Sequence, residues 1–373
     1  MADPVSSNRS ISISWGELTG AVGDSLTVLP IVVALAVVTE ISLPHVLIAF
    51  GIFQIVWGVL YGVPMSVEPM KALAALAIAG ALSYAELALA GVVLGIVLLA
   101  IGASQTLSLV ERWIGRPVIR GVQFAVGLVL LETAVDLSLS SPALAAIAVV
   151  VAAVFTFAGR QNAVAIVLLA AGLAIAFGAT GLPMPRSPGL PAIPELTAGV
   201  SRSAADGIVA QLAMTIGNAA LATSLLVSDL FDRDISPDRL SASMGAMNLL
   251  AVPIGGIPMC HGCDGVAGKH AFGARTGGAN LILGVLYVAA AFALTTAVLT
   301  AFPLAILGVL LGVVSVSLAS HVRESDRLWL SVAIGLGALV TNLGIAFVVG
   351  VIVDRLVDRY RAEKPLKTAV TPE

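Results

Sequence analysis

Two cysteines in 373 residues, 11% charged side chains and 5% aromatics are the scarcities that first limit what this chain can be. A disulfide framework needs more thiols than Cys260 and Cys263 provide. A structural zinc site needs a second, distant ligand pair. Here the ligand types sit in one compact run, Cys260-His261-Gly262-Cys263-Asp264, so neither a metal nor a cofactor is expected. So little charge excludes an ordinary soluble domain, in which about 25% of residues are charged. The formal charge of −3 leaves no basic footprint for nucleic acid. Met1 to Ser14 is polar and lacks an apolar core followed by a small-residue cleavage site, so no removable signal peptide is expected.

What fills the chain instead is hydrocarbon: 58% hydrophobic residues and a mean hydropathy of +1.04 describe an integral, multi-pass membrane protein with the lipid bilayer as its solvent. The apolar runs are continuous, unlike the alternating strands of a membrane barrel, so an all-α architecture is expected. Seven apolar segments read in each half. The first set is roughly 17–38, 43–60, 67–80, 84–103, 117–135, 142–158 and 162–178. The second is roughly 205–229, 239–254, 261–273, 278–300, 303–320, 326–341 and 343–358. The third and tenth are too short or too polar to span alone, as expected of discontinuous helices. The domain reading is a tail (1–14), a first repeat (15–182), a Pro-rich connector (183–203), a second repeat (204–358) and a second tail (359–373).

The word repeat rests on a register of 194 positions. Gly62-Val63-Pro64-Met65 recurs as Gly256-Ile257-Pro258-Met259, Gly23-Asp24 as Gly217-Asn218, Gly51 as Gly245 and Gln54 as Asn248. Glycine, proline and polar residues are scarce in such sequence, so their coincidence outweighs the modest identity. Internal repeats in an apolar chain point to a secondary transporter with its substrate site where the repeats face each other.

Basic residues give an independent reading of topology. With fourteen crossings and the N-terminus in the cytoplasm, Arg9, Arg112, Arg116, Arg120, Arg160, Arg233, Arg239, Lys269, Arg275, Arg323, Arg327 and the basic tail fall inside, and Arg186 and Arg202 outside. Lys71 alone falls within the membrane. An odd number of crossings per half makes the repeats inverted, the arrangement that alternating access requires.

The residues themselves resemble a known family. Gly16-Glu17-Leu18-Thr19-Gly20 with Gly23-Asp24, Gly62 through Ala72, Pro258-Met259-Cys260-His261-Gly262, and Phe272-Gly273-Ala274-Arg275-Thr276-Gly277 are similar to the molybdate transporters related to the sulfate permeases. The likeness runs from about Trp15 to Asp358. It implies fourteen segments as seven plus seven inverted repeats, a core of segments 1–4 and 8–11, and a gate of 5–7 and 12–14. It also implies a third and a tenth segment each made of an extended piece and a half-helix, with the substrate between them. Glu68 departs from the glutamine familiar at that position, and Cys263-Asp264 from small residues.

Elementary electrostatics agrees with an oxyanion. Two helix N-termini facing a cavity offer positive dipole ends and free N–H donors. On this reading a half-helix starts near Ser66, with Pro69 early in it and Ser66 or Glu68 as its cap, and Lys71 adds a full charge in its second turn. The candidate substrate-binding residues are Asp24, Ser25, Ser66, Val67, Glu68, Lys71, Asn218, Cys260, His261, Gly262 and Cys263; Asp24, Glu68 and Asp264 are the candidate proton carriers. Blander readings stand beside these. Lys71 can simply neutralise Glu68, Asp24 and Asn218 can fasten helices, and Ser25 and Thr215 can bond their own backbone. Lys269 and Arg275 are expected at the cytoplasmic surface, Glu111-Arg112 and Arg323-Glu324 in solvated loops, and His45, His270 and His321 carry no specific signal.

The expected function is import of molybdate, or a related tetrahedral oxyanion, across the cytoplasmic membrane, with proton symport as the expected coupling. Sulfate transport is the nearest alternative. A nucleobase carrier of the same fold would want carboxylates on both the eighth and tenth segments, and here they carry Asn218 and Asp264. A membrane enzyme would need more than the Cys/His run, so the chain is not expected to be one. Oligomeric state stays open, a homodimer included.

Overall fold

The computed structural model describes residues 11–107, 114–160, 163–182, 184–192, 194–294 and 296–362, which leaves Glu111-Arg112 outside. Its first half folds into α1 (Trp15–Val38), α2 (Leu43–Tyr61), α3 (Lys71–Ile78), α4 (Tyr84–Ser104), α5 (Arg116–Ser138), α6 (Pro142–Phe157) and α7 (Val164–Thr180). The second half contains α8 (Arg202–Phe231), α9 (Pro237–Ala251), α10 (Cys263–Ala271), α11 (Gly278–Ala293), α12 (Leu304–Ser320), α13 (Leu328–Val340) and α14 (Leu343–Ala362). Short helical turns cover Leu196–Gly199, Thr296–Thr300 and His321–Glu324. Two-residue strands, β1 (Glu68–Pro69) and β2 (Met259–Cys260), precede α3 and α10.

Local chemistry sets most of these limits. The Ser14 hydroxyl accepts from the Glu17 amide at the start of α1, Ser83 and Glu86 form a reciprocal capping box on α4, and Ser236 caps α9. Pro44, Pro117 and Pro142 sit in first turns, where a missing N–H costs nothing. The expected half-helix start near Ser66 is corrected. Pro69 lies in β1, Met70 is the N-cap, and Lys71 is the first helical residue, not one in the second turn. Neither Ser66 nor Glu68 caps this helix. Residues before a proline are pushed out of the helical region, and Glu68 precedes Pro69, so the chain stays extended up to it.

Packing is symmetric under exchange of the halves. The α2–α11 contact is matched by α4–α9, α1–α10 by α3–α8, and α5–α13 by α6–α12. The repeated glycines sit at these crossings. A Cβ on Gly51 would lie 2.7 Å from the Gly284 carbonyl on α11, and one on its counterpart Gly245 would lie 2.4 Å from the Leu99 amide on α4. Both backbones approach too closely for any side chain.

Two irregular helices mark the middle of the molecule. α1 bends by 44° between Ser25 and Val28, just ahead of Pro30, whose ring cannot support the preceding turn. α8 passes through a π-helical stretch, Thr215–Ala222. Asp24 and its counterpart Asn218 lie at these two distortions. Exposed apolar side chains such as Ile96, Val150, Phe157, Val316 and Leu336 cover the outside, a surface suited to lipid. By length and apolarity alone, five helices among the described residues can cross a bilayer, or six with bent α1. α6, α7, α11 and α13 are shorter apolar helices.

Candidate functional site

The extended pieces before α3 and α10 meet head-on as an antiparallel pair, Glu68 opposite Cys260 and Pro69 opposite Met259. The Met70 amide donates to the Pro258 carbonyl at 2.9 Å. The amides repeated at positions 54 and 248 hold these pieces. Asn248 accepts from the Met259 N–H at 2.7 Å and donates to its carbonyl at 2.8 Å, while Gln54 donates to Asp24 at 2.7 Å and to the Val67 carbonyl at 3.4 Å. In a medium without water, each such backbone group must find a protein partner.

Around this pair lies a continuous polar chain. The Lys71 ammonium sits 2.9 Å from Glu68 Oε2 and 2.8 Å from Asp264 Oδ2. The Ser66 hydroxyl lies 2.7 Å from Asp24 Oδ1 and 3.1 Å from Glu68 Oε1, with one proton to give to either. Asp24 is 3.0 Å from the Lys269 ammonium. Three carboxylates therefore face two ammoniums. Asp24, Ser66, Glu68, Lys71 and Lys269 are all buried, while the Asp264 side chain keeps 26% of its exposure.

Lys269 corrects an expectation. It does not face the surface but is fully buried, held by Gln54 Oε1 and the Met65 carbonyl at 2.8 Å each and by Asn280 Oδ1 at 3.1 Å. Lys71 is thus not the lone cation of the interior. The missed signal was position: a nine-residue half-helix packed against α1 and α8, with Asn280 of α11 bonded to its seventh residue, leaves that residue no route to solvent. Arg275 is exposed.

The helix N-termini are not vacant either. Glu68 Oε1 accepts from the Gly265 amide at 2.8 Å, so this carboxylate from the first half caps α10 in the second. Gln211, unremarked in the sequence, accepts from the Ala72 and Leu73 amides at 2.9 and 3.4 Å and so covers the start of α3. Gly262 and Gly265 are required by this closeness. A Cβ on Gly265 would lie 2.1 Å from Ser66 Oγ and 2.2 Å from Asp24 Oδ1, and one on Gly262 would lie 2.1 Å from the Glu68 carboxyl carbon.

Other candidates divide into struts and lining. His261 is fully buried between the Ser66 carbonyl and Ser243 Oγ, each at 2.8 Å, with Trp57 and Tyr61 edge-on. A carbonyl can only accept, so Nδ1 carries a proton. Val67 and Cys260 are buried as well, the thiol 3.9 Å from the Pro69 carbonyl. Ser25 lies 3.3 Å from the Ala21 carbonyl of its own helix and 3.2 Å from the Tyr287 hydroxyl, and Thr215 accepts from Gln211 at 3.0 Å. Cys263 lines the partly open side, donating to Asn218 Oδ1 at 3.0 Å. His321, after α12, reaches within 3.9 Å of Asp264 there. The two thiols have different partners, and among the described residues no three His, Cys, Asp or Glu side chains are arranged to hold a metal.

This arrangement has relatives. Molybdate transporter 2 of Arabidopsis thaliana is 29% identical over 83% of this chain and 79% of its own length. Molybdate transporter 1 of the same plant is 29% identical over 90% and 86%, and molybdate transporter 1 of Chlamydomonas reinhardtii 27% identical over 91% of each. Among solved structures, the transmembrane domain of a cyanobacterium bicarbonate transporter, BicA, superimposes with a TM-score of 0.61 at 18% identity, over 92% of this chain and 96% of that one. The murine Solute Carrier 26 family member A9 anion transporter in the inward-facing state gives 0.66 at 14% identity, over 96% of this chain and 72% of that one. The fold is theirs. Residues 16–130 and 203–318, well over half of the chain and drawn from both of its halves, match the family described as molybdate transporter of MFS superfamily, and on that match the chain belongs to the molybdate transporter family.

Proposed function

We propose that the protein imports molybdate across the cytoplasmic membrane, moving a core of α1–α4 and α8–α11 past a gate of α5–α7 and α12–α14 and carrying protons inward with the anion. Family membership supports the substrate. The observation that carries the mechanism is the Glu68 carboxylate seated on the α10 N-terminus and on Lys71. It holds the donors that an oxyanion would use.

Three carboxylates against two ammoniums give the cluster a formal charge of −1 when all are ionised, a poor host for a dianion. Protonating Glu68 makes the cluster neutral, weakens its hold on Lys71 and frees the Gly265 N–H. The anion then takes both donors. Asp264 keeps Lys71 oriented, Ser66 keeps Asp24 and Glu68 apart, and Cys263 and Asn218 line the partly exposed side. The same protonation offsets one of the dianion's two charges in the membrane potential, against which each uncompensated negative charge costs about 2.3 kcal/mol at 100 mV. The excess of Lys and Arg in the segments read as cytoplasmic supports a cytoplasmic location for both termini.

Uptake of labelled molybdate into proteoliposomes, with tungstate, sulfate and uracil as competitors, tests this reading. Accumulation driven by an acidic exterior and displaced by tungstate supports it. Preference for sulfate would move the substrate within the oxyanion class, and uracil uptake without oxyanion binding would overturn it.

A further inference from the structure

The Lys269 ammonium has more oxygens around it than protons to give. Four converge on Nζ: Gln54 Oε1 and the Met65 carbonyl at 2.8 Å, Asp24 Oδ2 at 3.0 Å and Asn280 Oδ1 at 3.1 Å. They come from α2, from the extended piece before β1, from α1 and from α11. A lysine carries three N–H donors, so four close oxygens describe a cage around a sphere of charge better than a set of directed hydrogen bonds. The separations exceed the roughly 2.3–2.6 Å of calcium–oxygen bonds and the roughly 2.0–2.1 Å of magnesium. They suit a large monovalent cation of potassium or ammonium size. Lys269 is fully buried, and its stem reaches the cage from α10.

We propose that this cage is a monovalent-cation site whose cation is supplied covalently, as Lys269. The tethered charge neutralises Asp24 and so fixes Ser66, which bonds Asp24 and Glu68. The parent protein accordingly needs no sodium or potassium at this position. Removing the side chain opens a site for a free cation of matching size, and the chain becomes dependent on one.

The consequence for transport rests on the molybdate reading, but the first test needs no oxyanion. Thermal unfolding of the purified full-length Lys269→Ala variant is measured in choline, sodium, potassium and methylammonium chlorides at matched ionic strength. The expected result is a saturable rise in midpoint with methylammonium or potassium over choline, as mass action on a folded-state site demands, while the parent gives one midpoint in all four salts. Molybdate affinity of the variant is then about tenfold higher in methylammonium than in choline, a difference of about 1.4 kcal/mol. The Asp24→Asn/Lys269→Ala double variant, lacking the cage's charge, loses the cation response. One midpoint for Lys269→Ala in every salt would overturn the proposal and leave Lys269 as a neutralising partner only. If Lys269→Ala folds only when purified in methylammonium or potassium, the proposal stands, and if it folds in none of the salts it falls. Loss of molybdate binding by the parent would instead count against the transport reading and leave the thermal result untouched.

Discussion

Glu68 and Lys71 carry opposite expectations although they touch. Glu68→Gln cannot ionise, and its neutral amide oxygen releases the Gly265 N–H and Lys71 more readily than the carboxylate does, so it imitates the protonated state. It is expected to bind molybdate at least as well as the parent at neutral pH and to lose stimulation of uptake by an acidic exterior, which parallel binding and proteoliposome assays would reveal. Lys71→Ala leaves Glu68 and Asp264 facing each other without their shared cation. Removing one partner of a buried pair costs about 3–5 kcal/mol, so both stability and molybdate affinity should fall sharply, and Lys71→Arg should recover part of each. Near-normal affinity in the folded Glu68→Gln/Lys71→Met double variant would show that Lys71 only balances Glu68 and does not meet the anion.

At the scale of elements, the carboxylate of Glu17 is as consequential as any in the central cluster. It is buried and accepts from the Arg275, Thr276 and Ala279 amides at 3.0, 2.9 and 3.0 Å, tying the start of α1 to the start of α11. Glu17→Ala leaves those donors without a partner, each worth about 1–3 kcal/mol, and should lower the unfolding midpoint measured in detergent by the same amount in every salt. Gly51→Ala and Gly245→Ala should each push apart one of the two equivalent helix pairs, at about 1–3 kcal/mol. Similar losses in unfolding free energy for the two variants would reflect the shared packing. Both glycines were visible in advance because a 194-residue register repeats them. The apolar runs also placed most helices to within a few residues, since hydrocarbon demands continuous stretches, although the run read as 278–300 breaks after Ala293. The start of α3 was misplaced because Pro69 suits an extended strand as well as a first turn, and only the facing chain decides. Lys269 was misplaced for a related reason: a lysine reads as surface until the four oxygens that surround it, scattered from Asp24 to Asn280, are brought together by the fold.

For the whole molecule, the two-residue ladder between β1 and β2 has a mechanical meaning. It joins the half-helices of the two repeats directly, and Glu68, His261 and Lys71 cross the same boundary. The proposed binding groups are thereby bolted into one cassette, which cannot open like a pair of jaws without breaking buried bonds in a medium that offers no water to replace them. Under the proposed mechanism such a cassette would travel as cargo hold and cargo together. Its grip on the anion would then be a property of the cassette and not of the face it is turned to. Equal dissociation constants for molybdate at inward-locked and outward-locked proteins, measured at one pH, are the expected outcome, and directionality would come from the proton gradient acting on Glu68 alone. A large difference between the two locked states at equal pH would mean that the gate helices contribute binding groups of their own.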